Sequence, residues 1–139
     1  MPEHLRVLLL SSDKIEIDLF QEIHSDQVIV TCARGLPELR DLLKLGSYDA
    51  LFCSWSYEMG TWDDALQEVH QHSPHVPVII LSRTGGEQEW VQVLEAGGFD
   101  LLVPPYSGSL LIAMLVQAVE SCHVAAMRNA AAESKERAS

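Results

Sequence analysis

Short, nearly continuous apolar runs alternate along this chain with longer stretches whose apolar side chains recur every three or four residues. The runs are Leu5 to Leu10, Gln27 to Cys32, Asp49 to Ser54, Pro77 to Ser82 and Phe99 to Val103. Runs without polar alternation suit strands covered on both faces, which is the condition of a parallel sheet. Between them, Ile15, Leu19 and Ile23 recur at a spacing of four, as do Leu39 and Leu43. Leu66 with Val69, and Trp90 with Val91 and Leu94, mark two more apolar helix faces. This βαβα order predicts an α/β fold, a doubly wound parallel sheet of five strands with helices on both faces. Pro37 suits the first turn of the second helix, where its missing N–H has no intrahelical partner to lose. Gly46 and the Gly97-Gly98 pair are expected helix stops.

The last helix, expected from about Ser109 to Met127, breaks the pattern by being apolar nearly all round through Leu110, Leu111, Ile112, Ala113, Met114, Leu115 and Val116. One stripe can cover the sheet, and a second apolar stripe needs another partner. From Ala130 to Ser139 the chain is small and charged without periodicity, which predicts a fraying end or the start of a linker. The expected organisation is one domain over residues 1–124, then a helix end and flexible tail or linker over 125–139. No internal repeat interrupts it.

Composition narrows the function classes. With 139 residues, 47% of them hydrophobic, there is enough chain for one core and too little to suggest two. A formal charge of -11, from 20 acidic against 9 scattered basic side chains, repels a phosphate backbone, so nucleic acid is not expected as a direct partner. No stretch reaches the roughly 20 apolar residues that span a bilayer, and Met-Pro-Glu-His-Leu-Arg lacks the order of a secretory signal. The expectation is a cytoplasmic protein without a membrane partner. Cys32, Cys53 and Cys122 form no C-x-x-C pair and read as small buried hydrophobes.

The segment Ala96-Gly97-Gly98-Phe99-Asp100-Leu101-Leu102-Val103-Pro104-Pro105 resembles the Ala-Gly-Ala-x-Asp-Tyr-Leu-x-Lys-Pro stretch of bacterial response-regulator receiver domains. Val7 to Leu10 ahead of a helix, Tyr48 to Cys53 as third strand and Val76 to Ser82 around the fourth extend the resemblance over residues 5 to about 122. It implies the flavodoxin-like, CheY-like (βα)5 fold, a site at the carboxyl ends of the strands, and a role in two-component signal transduction. Carried over by position, the magnesium-holding acidic pair falls on Ser11 and Ser12, beside Asp13, and the phosphoaccepting aspartate falls on Ser54. The hydroxyl ending the fourth strand is kept as Ser82. The lysine ending the fifth falls on Pro104, and the aromatic switch position on Leu101.

These replacements change the chemistry the site can do. Aspartyl phosphorylation needs a carboxylate nucleophile and a hard divalent cation held by carboxylate oxygens. Serine hydroxyls are neutral near pH 7, and no histidine at the strand ends is placed to activate Ser54. The resemblance therefore implies a degenerate receiver, a pseudo-receiver without catalytic residues, metal or cofactor, whose phosphorylation-driven equilibrium has no trigger. The Pro104-Pro105 bond falls where the family often carries a cis proline, and the sequence leaves its isomer open.

Other features admit two readings each. Ser11, Ser12, Ser54, Ser82 and Arg83 form a neutral to positive rim that can hold a small anion, with Arg83 as the contact, or can be a solvated serine cluster. The grouping of His70, His72 and His75 can suggest a metal, but His70 and His72 point to different helix faces. Trp55, Tyr57, Met59 and Trp62, in the loop after the third strand, either seal the pocket or offer a contact surface. In receivers, dimers commonly form through the fourth helix, fifth strand and fifth helix, which here contain Trp90, Leu94, Ile112, Val116 and Val119. Homodimerisation through that face is the leading expectation, against burial of the last helix by a neighbouring domain. Three functions compete: a phosphate-independent contact module, a small-anion or metabolite sensor, and a flavodoxin-like enzyme. The enzyme is disfavoured because Ser11-Ser12-Asp13-Lys14-Ile15-Glu16 offers no glycine to bring amides onto a flavin phosphate.

Overall fold

The computed structural model describes residues 4–82, 86–103 and 107–121. Its elements are β1 (Leu5–Leu10), α1 (Lys14–Ile23), β2 (Val28–Ala33), α2 (Leu36–Leu45), β3 (Ala50–Ser54), β4 (Ser56–Tyr57), β5 (Gly60–Thr61), α3 (Trp62–His72), β6 (Val78–Leu81), α4 (Glu87–Ala96) and β7 (Asp100–Leu102). A last helix, α5, covers residues 108–121. β1, β2, β3, β6 and β7 make one parallel sheet in the order β2-β1-β3-β6-β7. The five-stranded, doubly wound expectation is met, with strand boundaries moved by at most one residue.

The apolar runs are continuous because each strand feeds two cores. Val7 and Leu9 of β1, Ala50 and Phe52 of β3, and Ile79 and Leu81 of β6 pack with Phe20 and Ile23 of α1 and with Leu111, Leu115 and Ala118 of α5. The intervening Leu8, Leu10, Leu51, Cys53, Val78 and Ile80 face the other way, onto Leu39 and Leu43 of α2, Ala65, Leu66 and Val69 of α3, and Val93 of α4. Period-two alternation within a two-sided sheet leaves no polar position in the centres of β1, β3 and β6.

Two helix faces differ from the periodic reading. In α1 the buried residues are Glu16, Phe20 and Ile23, while Ile15 is 80% exposed. The buried stripe is rotated: Asp13 caps the helix, its Oδ1 accepting from Ile15 N at 2.8 Å, and Glu16 in the first turn reaches a buried hydroxyl. In α4 only Val93 is buried, and Trp90, Val91 and Leu94 stand outward. This helix lies against a short edge strand and has little surface to cover. A further difference is a small antiparallel hairpin, β4 with β5, inside the loop after β3.

Cys53 is fully buried and Cys32 half-buried against the α1 side of the core; Cys122 lies outside the described residues, as do the helix expected beyond residue 121, the tail, Arg83 and the Pro104-Pro105 bond. Among the described residues, no helix is long and apolar enough to cross a membrane.

Gly97 ends α4 at φ 104, a left-handed conformation, and a Cβ there would stand 2.7 Å from His70 Cε1. Gly97→Ala is therefore expected to lower stability by about 1–3 kcal/mol, through backbone strain and displacement of His70. A urea melt that shifts by less than about 0.5 kcal/mol would contradict the strain argument.

Candidate functional site

In the strand order β2-β1-β3, the connections leaving β1 and β3 go to opposite faces of the sheet, so a crevice opens at their carboxyl ends. It is a pocket of about 360 Å³ lined by Ser12, Asp13, Ser54, Trp55, Ser56, Leu81 and Ser82. Ser54 ends β3 and is 8% exposed; Ser82 follows β6 and is 2% exposed.

Ser11 does not line this pocket. It is fully buried, its Oγ donates to Glu16 Oε1 at 2.6 Å and accepts from Asp13 N at 3.1 Å. Ser82 Oγ donates in turn to Glu89 Oε2 of α4 at 2.7 Å. The expected neutral to positive serine rim is thus bordered by carboxylates, those of Asp13 and Glu89. Arg83, the expected anion contact, lies outside the described residues, as does Pro104.

A magnesium ion takes one or two carboxylates from a protein and fills the rest of its octahedron with waters and phosphate oxygens. Asp13 is the carboxylate in the pocket lining, and its Oδ1 is engaged as the cap of α1. No cluster of three or more His, Cys, Asp or Glu side chains able to hold a metal occurs among the described residues, at this pocket or at the histidines of α3. The donor set does not fit the cation. His72 lies 3.4 Å from Glu68 Oε2 on its own helix, and His70 packs against Gly97.

The loop aromatics turn inward, and Met59 alone of the four residues is exposed. Tyr57 is buried on the α2–α3 side and its hydroxyl donates to Thr61 O at 2.8 Å. Trp55 walls the pocket and meets Trp62 at 5.3 Å between ring centroids. Met59, at the hairpin tip, is 99% exposed. Leu101 is half-buried on the α4 side of the sheet, so an aliphatic side chain fills that position.

Exposed apolar residues lie on α4 (Trp90, Val91 and Leu94), just after β7 (Val103) and on α5 (Leu110, Ile112 and Val116). Val119, expected on the same face, is half-buried against the core. Glu16 and Glu89, which sequence reasoning did not single out, accept from the strand-end hydroxyls of Ser11 and Ser82. Each reads as an ordinary acidic residue near a helix start, and only the folded chain shows the hydroxyl each one accepts from.

No family model matches the chain. The response regulator protein PilR of Pseudomonas aeruginosa is 32% identical over 73 residues, which are 52% of this chain and 16% of PilR. The match therefore spans a small part of that longer protein. Among solved structures, the receiver domain of the Francisella response regulator 1452 superposes with a TM-score of 0.75 at 23% identity, covering 85% of this chain and 98% of that one. A receiver domain from Clostridium thermocellum gives 0.73 at 22% identity over 86% and 98%. NtrX from Brucella abortus gives 0.81 at 18% identity over 91% of this chain and 29% of that one. These likenesses establish the receiver fold.

Proposed function

We propose that this chain, having the receiver fold, is a pseudo-receiver: a two-component signalling domain that acts through protein contacts and accepts no phosphoryl group on an aspartate. The observation that carries the reading is Ser54 at the end of β3, where a buried hydroxyl faces the pocket in place of a carboxylate. A neutral hydroxyl attacks a phosphoryl group only when a base removes its proton. Trp55, Ser56, Leu81 and Ser82, its neighbours in the lining, offer none, and Asp13, the carboxylate of the lining, has its Oδ1 engaged as the cap of α1.

Output then rests on surface. The apolar face of α4, β7 and α5 is the surface proposed for a homodimer, with Trp90 and Leu94 from one helix and Ile112 and Val116 from the other. Large apolar side chains grouped on adjoining elements are what an association surface supplies. The small-anion reading has less support, because Ser82 already donates to Glu89 and Asp13 lines the pocket.

The purified chain incubated with acetyl phosphate and magnesium is expected to keep its intact mass and to run as a dimer with or without treatment. Ser54→Asp is expected to remain unmodified as well, since Ser11 and Ser12 still supply no carboxylates for the metal. A stable added phosphoryl group on the native chain would overturn the reading. A monomer at every concentration would remove the homodimer from it.

A further inference from the structure

The β4–β5 hairpin turns through Glu58 and Met59, and Met59 sits at φ 63 with 99% of its surface exposed. Glycine or asparagine is the low-strain choice at a turn position of positive φ, and methionine there strains the backbone. The hairpin is otherwise firmly held, since Tyr57 is buried and its hydroxyl donates to Thr61 O. A strained apolar side chain held out into water from a fixed support adds nothing to the core. Its use lies outside the chain, and methionine adapts readily to an apolar partner.

Met59 lines a groove of about 430 Å³ between the hairpin tip and the start of α2, together with Leu36, Pro37, Glu38, Arg40 and Glu58. The two walls approach closely: a Cβ on Gly35 would stand 3.3 Å from Glu58 O. The groove shares no residue with the pocket at Ser54 or with the exposed apolar residues of α4 and α5. Its charge is negative in effect. Arg40 is engaged, its Nε donating to Glu68 Oε1 at 2.6 Å, whereas among the described residues Glu38 and Glu58 are in no ion pair. Arg34 precedes Gly35 but is not in the lining. A second copy is a poor occupant, because it would set Glu38 and Glu58 of one chain against those of another, each chain carrying a formal charge of -11. α2 also opens on Gly35, without a side-chain cap, so its first-turn amides are left for water or a ligand's carbonyl oxygens.

We propose that the hairpin tip and the start of α2 form a docking groove for an extended segment of a partner protein. An apolar side chain of that segment packs on Leu36, Pro37 and Met59, and flanking lysine or arginine side chains meet Glu38 and Glu58. This contact surface stands apart from the homodimer face and does not depend on it.

Amide NMR of the isotope-labelled full chain tests it, with synthetic peptides in which a central leucine is flanked on both sides by arginine, by serine or by glutamate. The arginine peptide is expected to shift the amides of Leu36, Glu38, Glu58 and Met59 and to bind about tenfold tighter than the serine peptide, while the glutamate peptide leaves them unmoved. Glu38→Gln with Glu58→Gln should weaken the arginine peptide about fivefold and remove most of its salt dependence. Met59→Gly should weaken it by a similar factor yet raise the urea midpoint, because an apolar contact and a strained residue are lost together. No shift with the arginine peptide, equal binding of the three peptides, or a Met59→Gly variant that loses stability or keeps its affinity would each overturn the proposal. Shifts of the same amides with protein concentration alone would overturn it in favour of a second copy as the occupant.

Discussion

Replacing Phe52 with alanine is expected to lower the stability of the fold by about 3–5 kcal/mol. Phe52 is fully buried in β3, the middle strand of the sheet. Its ring meets Phe20 of α1 edge-on, with centroids 5.0 Å apart and planes at 63°. Truncation removes the transfer energy of the ring, leaves a cavity that a closely packed sheet centre cannot collapse into, and abolishes an aromatic pair worth about 0.5–1.5 kcal/mol by itself. Domains of this size are commonly stable by about 5–15 kcal/mol, so the loss brings a large unfolded fraction within reach of mild urea or heat. Ser54 lies two residues further along β3, so the pocket loses its order with the core. Phe52→Leu, which keeps most of the volume, should cost less than about 1.5 kcal/mol. Urea melts of both variants followed by circular dichroism check this; an alanine variant no weaker than the leucine one would show that the ring is not part of the packing.

Alkaline pH should destabilise the fold through Cys53 and Tyr57. Burial, with the charges of Glu16 and Asp63 second, pushes the Cys53 thiol far above its ordinary value of 9.0. Burial likewise pushes the Tyr57 hydroxyl well above 10.0, reinforced by Cys53, Asp64, Asp63 and Glu68. Both groups stay protonated in the folded chain at pH values where the unfolded chain has begun to lose those protons. The folded state then binds more protons than the unfolded state, and stability falls as pH rises. The contribution of Cys53 is complete below pH 9.0 and declines above it by up to about 1.4 kcal/mol per pH unit; that of Tyr57 declines from 10.0 upward. Half-buried Cys32, also raised by burial, adds less because solvent screens it. Urea midpoints between pH 7 and 10.5 should therefore drop, and Cys53→Ala should flatten the first part of the decline. A slope unchanged by that substitution would place the alkaline sensitivity elsewhere.

Hydrophobic patterning made the sheet legible because both sides of each central strand meet a core, and that condition writes an unbroken apolar run into the sequence. Leu39 with Leu43, and Leu66 with Val69, were legible for the corresponding reason: each pair occupies one stripe of a helix lying flat on the sheet. The hairpin after β3 was not, since strands of two residues carry no period. Its order comes from Tyr57 reaching the core and from the Trp55–Trp62 contact, both made across the loop.

At the site, residue identity was readable and partnership was not. The serines at positions 11, 54 and 82 stand in the sequence for anyone to count, and strand ends could be placed to within a residue. Ser11 is buried against Glu16, five positions on, whereas Ser82, tied to Glu89 seven positions on, still lines the pocket. Local pattern assigns Ile15 to the core and Glu16 to water. The fold reverses both, because the Ser11 hydroxyl offers a buried carboxylate a donor while nothing covers Ile15 at the open end of α1. The sequence by itself determined the α/β order, the two-sided sheet and the absence of an aspartate at position 54, all of which are set by local composition and period. Only the tertiary structure decided that Ser11 and Ser82 are tied to glutamates and that Trp90, Val91 and Leu94 face outward, because side chains distant in sequence compete for the same buried partners and the same limited area of sheet.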